Sequence, residues 1–248
     1  MNCFKFLVLK GLIIYSNCLH ANLAWSPKEQ IASGVLRQER AVSFIAAEAY
    51  LSTNYFIKDL TEAGFWFLGE RQNSSCSAGF QLMGTPYIRF FDYYLSYRLR
   101  LSEDLALGIN SVLNRESSVW DKTQNKLRIG IEGVFRLRNL DQFSVSVLTA
   151  VRKPLSTMIH GTFIHEVNSN IAFVLSASYR SSMFRLSGSL VYQVNRYFRM
   201  HLFLSTQSSP FGLGMMIKHK GFNFLVNAKY HLDLGVSNDL SIWGQRSF

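Results

Sequence analysis

From Tyr87 to Trp243 the chain is a nearly unbroken series of short segments in which apolar and polar side chains alternate, separated by brief turns. In Tyr87–Leu101 one face carries Phe91, Tyr93, Leu95, Tyr97, Leu99 and Leu101, and the other Asp92, Tyr94, Ser96, Arg98 and Arg100. In Lys126–Arg138 the division is Leu127, Ile129, Ile131, Phe135 and Leu137 against Lys126, Arg128, Glu132, Arg136 and Arg138. Successive side chains of a strand point to opposite faces, so each segment has one oily and one wet face. A soluble sandwich alternates in the same way but turns its oily face inward. The number, length and aromatic content of these strands, and the first residues of the chain, favour the opposite arrangement.

Met1–Ala21 places Lys5 and Lys10 around the apolar stretch Phe6–Tyr15 and ends in small or polar residues, the shape of a secretory signal peptide. Residues 1–24 are therefore expected to be a signal, 25–40 a short extension and 41–248 the folded domain. The apolar stretch is well short of the ~20 residues that a spanning helix needs. Cys18 could be read as a lipoprotein cysteine, but Tyr15-Ser16-Asn17 is a poor approach to one.

No other run is apolar for long enough to form a transmembrane helix, although 48% of residues are hydrophobic and 14% aromatic. A membrane barrel reconciles the two, because its apolar residues are spread over every second position. Cys3 and Cys18 lie in the expected signal, which leaves Cys76 alone in the mature chain and removes any cysteine-based disulfide or metal site. The formal net charge of +10 is distributed as one or two cations per strand rather than as a run. With export expected, nucleic acid is the least favoured partner and outer-membrane lipid the most direct one.

Strands are expected at about 41–52, 63–72, 76–85, 87–101, 104–115, 126–138, 141–153, 159–166, 171–181, 183–195, 197–207, 210–219, 222–232 and 237–244, with 159–166 and one of the first pair the weakest. Single-chain bacterial barrels use even strand numbers, which leaves about 12–14. Short polar connections such as Leu101-Ser102-Glu103-Asp104, Arg138-Asn139-Leu140-Asp141 and Lys220-Gly221 join neighbours as hairpins. The fold expected is all-β: a transmembrane antiparallel meander barrel in the bacterial outer membrane. Glu116–Asn125 and Pro154–Asn170 are the expected surface loops.

The wet face carries the one chemical feature above background: Arg98, Arg100, Lys126, Arg128, Arg136, Arg180, Arg185, Arg199, Lys218 and Lys229. Among serines and glycines these cations do not build a dry core, and with Asp92 and Glu132 among the few matching acids they suggest a hydrated, basic lumen. Rings of such residues favour anions. Alternatively, some sit at strand ends and meet lipid phosphates, or the barrel is filled by its own side chains.

Barrel enzymes such as lipid deacylases need a converging Ser, His and acid. His160, His165, Glu166 and Ser169 are the nearest approach, and neither they nor His231-Leu232-Asp233 have the His followed closely by Ser-Asn that such an enzyme shows. No catalytic residue is assigned. Nor do His160, His165, His219 and His231 have a spacing that makes metal ligation the expected outcome. No phosphate loop is present, because Gly212 and Gly214 lie inside a strand, where glycine marks a bulge or a tight approach in the lumen. No cofactor is expected.

A family resemblance rests on Pro210-Phe211-Gly212-Leu213-Gly214, the Lys220-Gly221-Phe222 turn, Tyr230-His231, Leu234-Gly235-Val236-Ser237 before the last strand, and Gly84-Thr85-Pro86-Tyr87 followed by Tyr93–Gly108. These stretches resemble PorV/PorQ-like outer-membrane barrels. The resemblance implies a non-enzymatic accessory or interaction component of an envelope complex, with partners in type IX protein secretion. The alternative expectation is a narrow channel for small anionic solutes, and an outer-membrane lipid deacylase stands a distant third.

Overall fold

The computed structural model describes residues 44–53, 61–71, 73–120, 123–138, 141–151, 156–168, 170–180, 183–206, 210–220, 222–231 and 235–247. The expected signal and N-terminal extension fall outside these residues. Fourteen strands follow one another in chain order: β1 (Phe44–Thr53), β2 (Thr61–Arg71), β3 (Ser74–Gly84), β4 (Ile88–Arg100), β5 (Leu105–Ser118), β6 (Gln124–Arg138), β7 (Asp141–Ala150), β8 (Thr157–Asn168), β9 (Ile171–Arg180), β10 (Met183–Asn195), β11 (Phe198–Ser205), β12 (Phe211–His219), β13 (Phe222–His231) and β14 (Gly235–Ser247). Each pairs antiparallel with its neighbours, and β1 pairs with β14 from Phe44↔Ser247 to Thr53↔Asn238, so the sheet closes and has no free edge.

The alternation sets which face looks out. On β4, Tyr93, Leu95, Tyr97 and Leu99 are exposed, whereas Tyr94 and Ser96 are buried inside the barrel. Ile131 on β6 is 68% exposed and its lumen-facing neighbour Gly130 is buried. Similar outward apolar residues recur on every strand but β3, where Phe80 and Leu82 are half-buried, making a belt far larger than the surface of a soluble monomer tolerates. Charged residues of the outward face, among them Arg71, Arg89, Arg115 and the pair His165–Asp141, stand towards strand ends, where water and headgroups begin. An exterior of this kind is solvated by lipid, and the barrel is an outer-membrane protein.

The weak segment 159–166 is a full strand, Thr157–Asn168. Most of the surface loop expected at Pro154–Asn170 is therefore sheet, because His160, His165 and Glu166 are polar at outward and inward positions alike and hide the alternation. Connections 72–73, 101–104, 139–140, 169–170, 196–197 and 220–221 at the end holding the strand termini Phe44 and Ser247 are short. Lys220, with φ 47°, supplies the left-handed residue such a tight turn needs. At the opposite end 54–60, 119–123, 151–156 and 206–210 are longer. We call the two the turn end and the loop end; barrels of this class keep short turns on the periplasmic side.

Candidate functional site

The chemistry of a closed barrel with a lipid-facing exterior lies in its lumen, and side chains from the inward positions partly fill it. At mid-height Trp66, Tyr94, Val112, Leu148 and Met158 form a buried apolar cluster, with Tyr50 packed against it. The Trp66 and Tyr94 ring centroids are 4.8 Å apart. Glycine at the adjacent inward positions makes the space: a Cβ on Gly79 would come within 2.2 Å of the Trp66 ring, and one on Gly212 within 2.0 Å of Phe203. The apolar waist fits the alternative in which the barrel is partly filled by its own side chains. Beside the waist is a cavity of about 110 Å³ lined by Asn110, Ser144, Ser146, His160 and Thr162 and bounded by Arg98 and Glu132. That is room for a few waters or one small solute.

All ten cations of the wet face fall at inward positions of the register, in two groups. Towards the turn end, Arg98 pairs with Glu132 at 3.0 Å and Arg100 with Glu70 at 3.1 Å. Arg199 donates to Gln193 Oε1 at 3.0 Å, while Arg136 and Lys218 lie at the exposed rim. Towards the loop end are Lys126 and Arg128 on β6, Arg180 on β9, Arg185 on β10 and Lys229 on β13.

This loop-end group is partly divided by sign, with Lys229 on the side of the acids and Glu116 at an exposed inward position of β5 beside Lys126. Lys229 is bonded to Asp239, which also accepts from Ser52 Oγ at 2.6 Å. Glu62 accepts from Tyr50 at 3.0 Å and Gln81 at 2.9 Å; Asp92 accepts from Tyr94 at 3.2 Å and Asn114 at 2.5 Å. These acids stand on β14, β2 and β4. The facing wall carries Lys126, Arg128, Arg180 and Arg185. Arg128 reaches Asn114 Oδ1, the other end of the amide that binds Asp92. Arg180 lies within electrostatic reach of Arg128, Arg185 and Asp92, so the two walls address one another across the lumen. Between the cations, β7 and β8 place the buried Ala150 and Met158 at inward positions, so no acid intervenes.

The lumen is therefore less uniformly basic than the cation pattern suggests. Sequence reading missed the acids Glu48, Glu62, Glu70 and Asp239, all at inward positions. The available signal was the same alternation continued through β1, where Glu48, Tyr50 and Ser52 share a face, and through β2, where Glu62, Trp66 and Glu70 do.

His160 is turned inward, with its ring nitrogen 3.0 Å from Thr162 Oγ1, whereas His165 is turned outward and bonds Asp141 at 2.5 Å. The two do not converge, and Ser169 lies outside the described residues. His219 and His231 likewise take opposite faces of β12 and β13. Among the described residues no group of three His, Cys, Asp or Glu is arranged to hold a metal. Cys76 is exposed on the outer face of β3.

No protein-family model matches the chain, and no curated protein matches it by sequence. Solved structures do match in fold. The CymD monoaromatic hydrocarbon channel aligns with a TM-score of 0.58 at 8% identity, covering 86% of this chain and 90% of that one. The Acinetobacter baumannii outer membrane protein Omp33 aligns with a TM-score of 0.58 at 8% identity, covering 84% and 100%. A Pseudomonas aeruginosa FadL homologue aligns with a TM-score of 0.56 at 6% identity, covering 85% and 91%. Nothing among these matches links the chain to PorV/PorQ barrels or to type IX secretion. Together with the lipid-facing exterior they make the chain a closed fourteen-stranded bacterial outer-membrane β-barrel with the fold of porins and channels.

Proposed function

We propose that the protein is a narrow, non-enzymatic outer-membrane channel for small anionic solutes. The observation that carries this reading is the loop-end wall of Lys126, Arg128, Arg180 and Arg185, four cations with no acid at an inward position between them among the described residues. Fixed like charges in a confined, low-dielectric passage raise the local concentration of the opposite ion and set which sign passes. The facing acids do not cancel the wall, because Asp239 is paired with Lys229, and the four cations outnumber Glu62 and Asp92, which are held on their own side by Tyr50, Gln81, Tyr94 and Asn114. Passage then leads to the apolar waist and the small cavity of mixed lining beside it, which favours compact solutes and a small unit conductance.

The test is conductance across planar bilayers under a salt gradient. Anion-selective current is expected, shifting towards cations when Lys126, Arg128 and Arg185 are replaced together by glutamine. Cation selectivity in the unaltered protein overturns the reading. So does a silent barrel that copurifies from native membranes with type IX secretion subunits, which would favour an accessory role instead.

A further inference from the structure

We infer that the loop-end wall is a binding station for a compact oxyanion, centred on the guanidinium of Arg180. This rests on the channel reading and sharpens it, since it distinguishes a solute that is held from ions that are merely favoured. The starting observation is that Arg180 Nη1 is buried and has no hydrogen-bond partner. Guanidinium nitrogens removed from bulk water are normally hydrogen-bonded, and leaving one without an acceptor carries a desolvation penalty.

The surroundings deepen that imbalance. Arg180 lies within electrostatic reach of both Arg128 and Arg185, and Lys126 within reach of Arg128 and Arg180. Asp92 is the acid within reach, but its two oxygens are taken by Tyr94 and Asn114. An anion entering beside Arg180 would give its Nη1 an acceptor and would lie in the field of Arg128, Arg185 and Lys126. A guanidinium presents a planar fork of donors that matches the paired oxygens of a carboxylate or phosphate, whereas a spherical halide can use one donor direction at a time. The station is therefore assigned to oxyanions rather than to anions in general. The residues opposite the three arginines in the register are all uncharged: Ala150 at Arg128, Met158 at Arg180 and Ser178 at Arg185.

The experiment is calorimetric titration of the full-length protein in detergent with inorganic phosphate and, separately, with acetate, at fixed ionic strength in a chloride background. Saturable binding of at least one is expected, and comparing the two separates a phosphate site from a carboxylate site. Arg180→Gln is expected to weaken it about tenfold or more. Arg180→Lys, which keeps the charge and loses the fork, is expected to fall nearly as far. Arg71→Gln, on the outer face at the turn end, is expected to bind as the unaltered protein does. Heat-modifiable gel migration shows whether each variant is folded.

No saturable heat with either anion overturns the station, and so does full binding by Arg180→Lys, which would reduce the wall to a diffuse field. Bilayer selectivity measured on the same preparations keeps the two ideas apart. Selective current without binding removes the station and leaves the channel. Binding in a barrel that carries no current supports the station and removes the channel.

Discussion

The filling of the lumen by paired large and absent side chains can be tested with a double-mutant cycle at Trp66 and Gly79. Trp66 is 2% exposed, and a buried Trp withdraws about 150–250 Å² from water. At about 25 cal/mol per Å² this is about 4–6 kcal/mol, and since alanine restores part of the contact, Trp66→Ala should destabilise by about 3–5 kcal/mol. Gly79→Ala places a Cβ 2.2 Å from the Trp66 ring, where the ring must move against Tyr94 at a centroid distance of 4.8 Å. Overpacking of that kind costs about 1–3 kcal/mol. Gly79 has ordinary strand backbone, so the penalty is steric alone.

In the Trp66→Ala background the same Cβ meets open space, and Gly79→Ala should become neutral or stabilising by up to about 0.5–1 kcal/mol, since alanine suits a strand better than glycine. The cycle should thus show a coupling of about 1–3 kcal/mol in favour of the double variant. The assay is urea unfolding of barrels refolded into lipid vesicles, followed by far-ultraviolet circular dichroism because one variant lacks a fluorophore. A coupling below about 0.5 kcal/mol would refute the claim that Trp66 occupies the space over Gly79.

Two further outcomes follow from the same structure. Ile131→Arg places a cation midway along the lipid face of β6 and should cost about 2–4 kcal/mol in vesicle unfolding, whereas Ser146→Arg, which lines the lumen cavity on β7 opposite Glu132, should cost less; equal costs would mean that the faces are misassigned. Arg98→Gln leaves the largely buried Glu132 without its 3.0 Å partner and should cost about 1–3 kcal/mol, with Arg98→Gln/Glu132→Gln recovering part of it.

The legible parts of this fold are those in which neighbouring residues carry opposite signals. In β4 and β6 the contrast between Leu95, Tyr97, Ile129 and Ile131 and their polar neighbours is large, and both strands are found where the alternation puts them. In β8 it fails, because His165 faces outward at a strand end paired with Asp141, while Met158 and Ile164 face inward. The inward cations were legible for the same reason as the strands. Their partners were not: Arg98 and Glu132 are on β4 and β6, and Arg100 and Glu70 on β4 and β2, so each pair depends on register between strands. The resemblance to PorV/PorQ barrels rested on turn and glycine residues, which strand geometry demands of many barrels, and the fold matches do not carry it to a shared role.

What the sequence determined alone is the period of its hydrophobicity, and with it the strands, the faces and the membrane outside. That information is local, since a side chain two positions away already shares the same face. Only the tertiary structure decided that the barrel closes at fourteen strands, that its waist is apolar, and which inward cations meet an acid, as Arg98, Arg100 and Lys229 do. Those outcomes depend on closure and register, which bring Asp92 of β4 within reach of Arg180 on β9 and leave Arg180 Nη1 buried without a hydrogen-bond partner. Contacts across a barrel join residues far apart in the chain, and no pattern along one strand can encode which strand will face it.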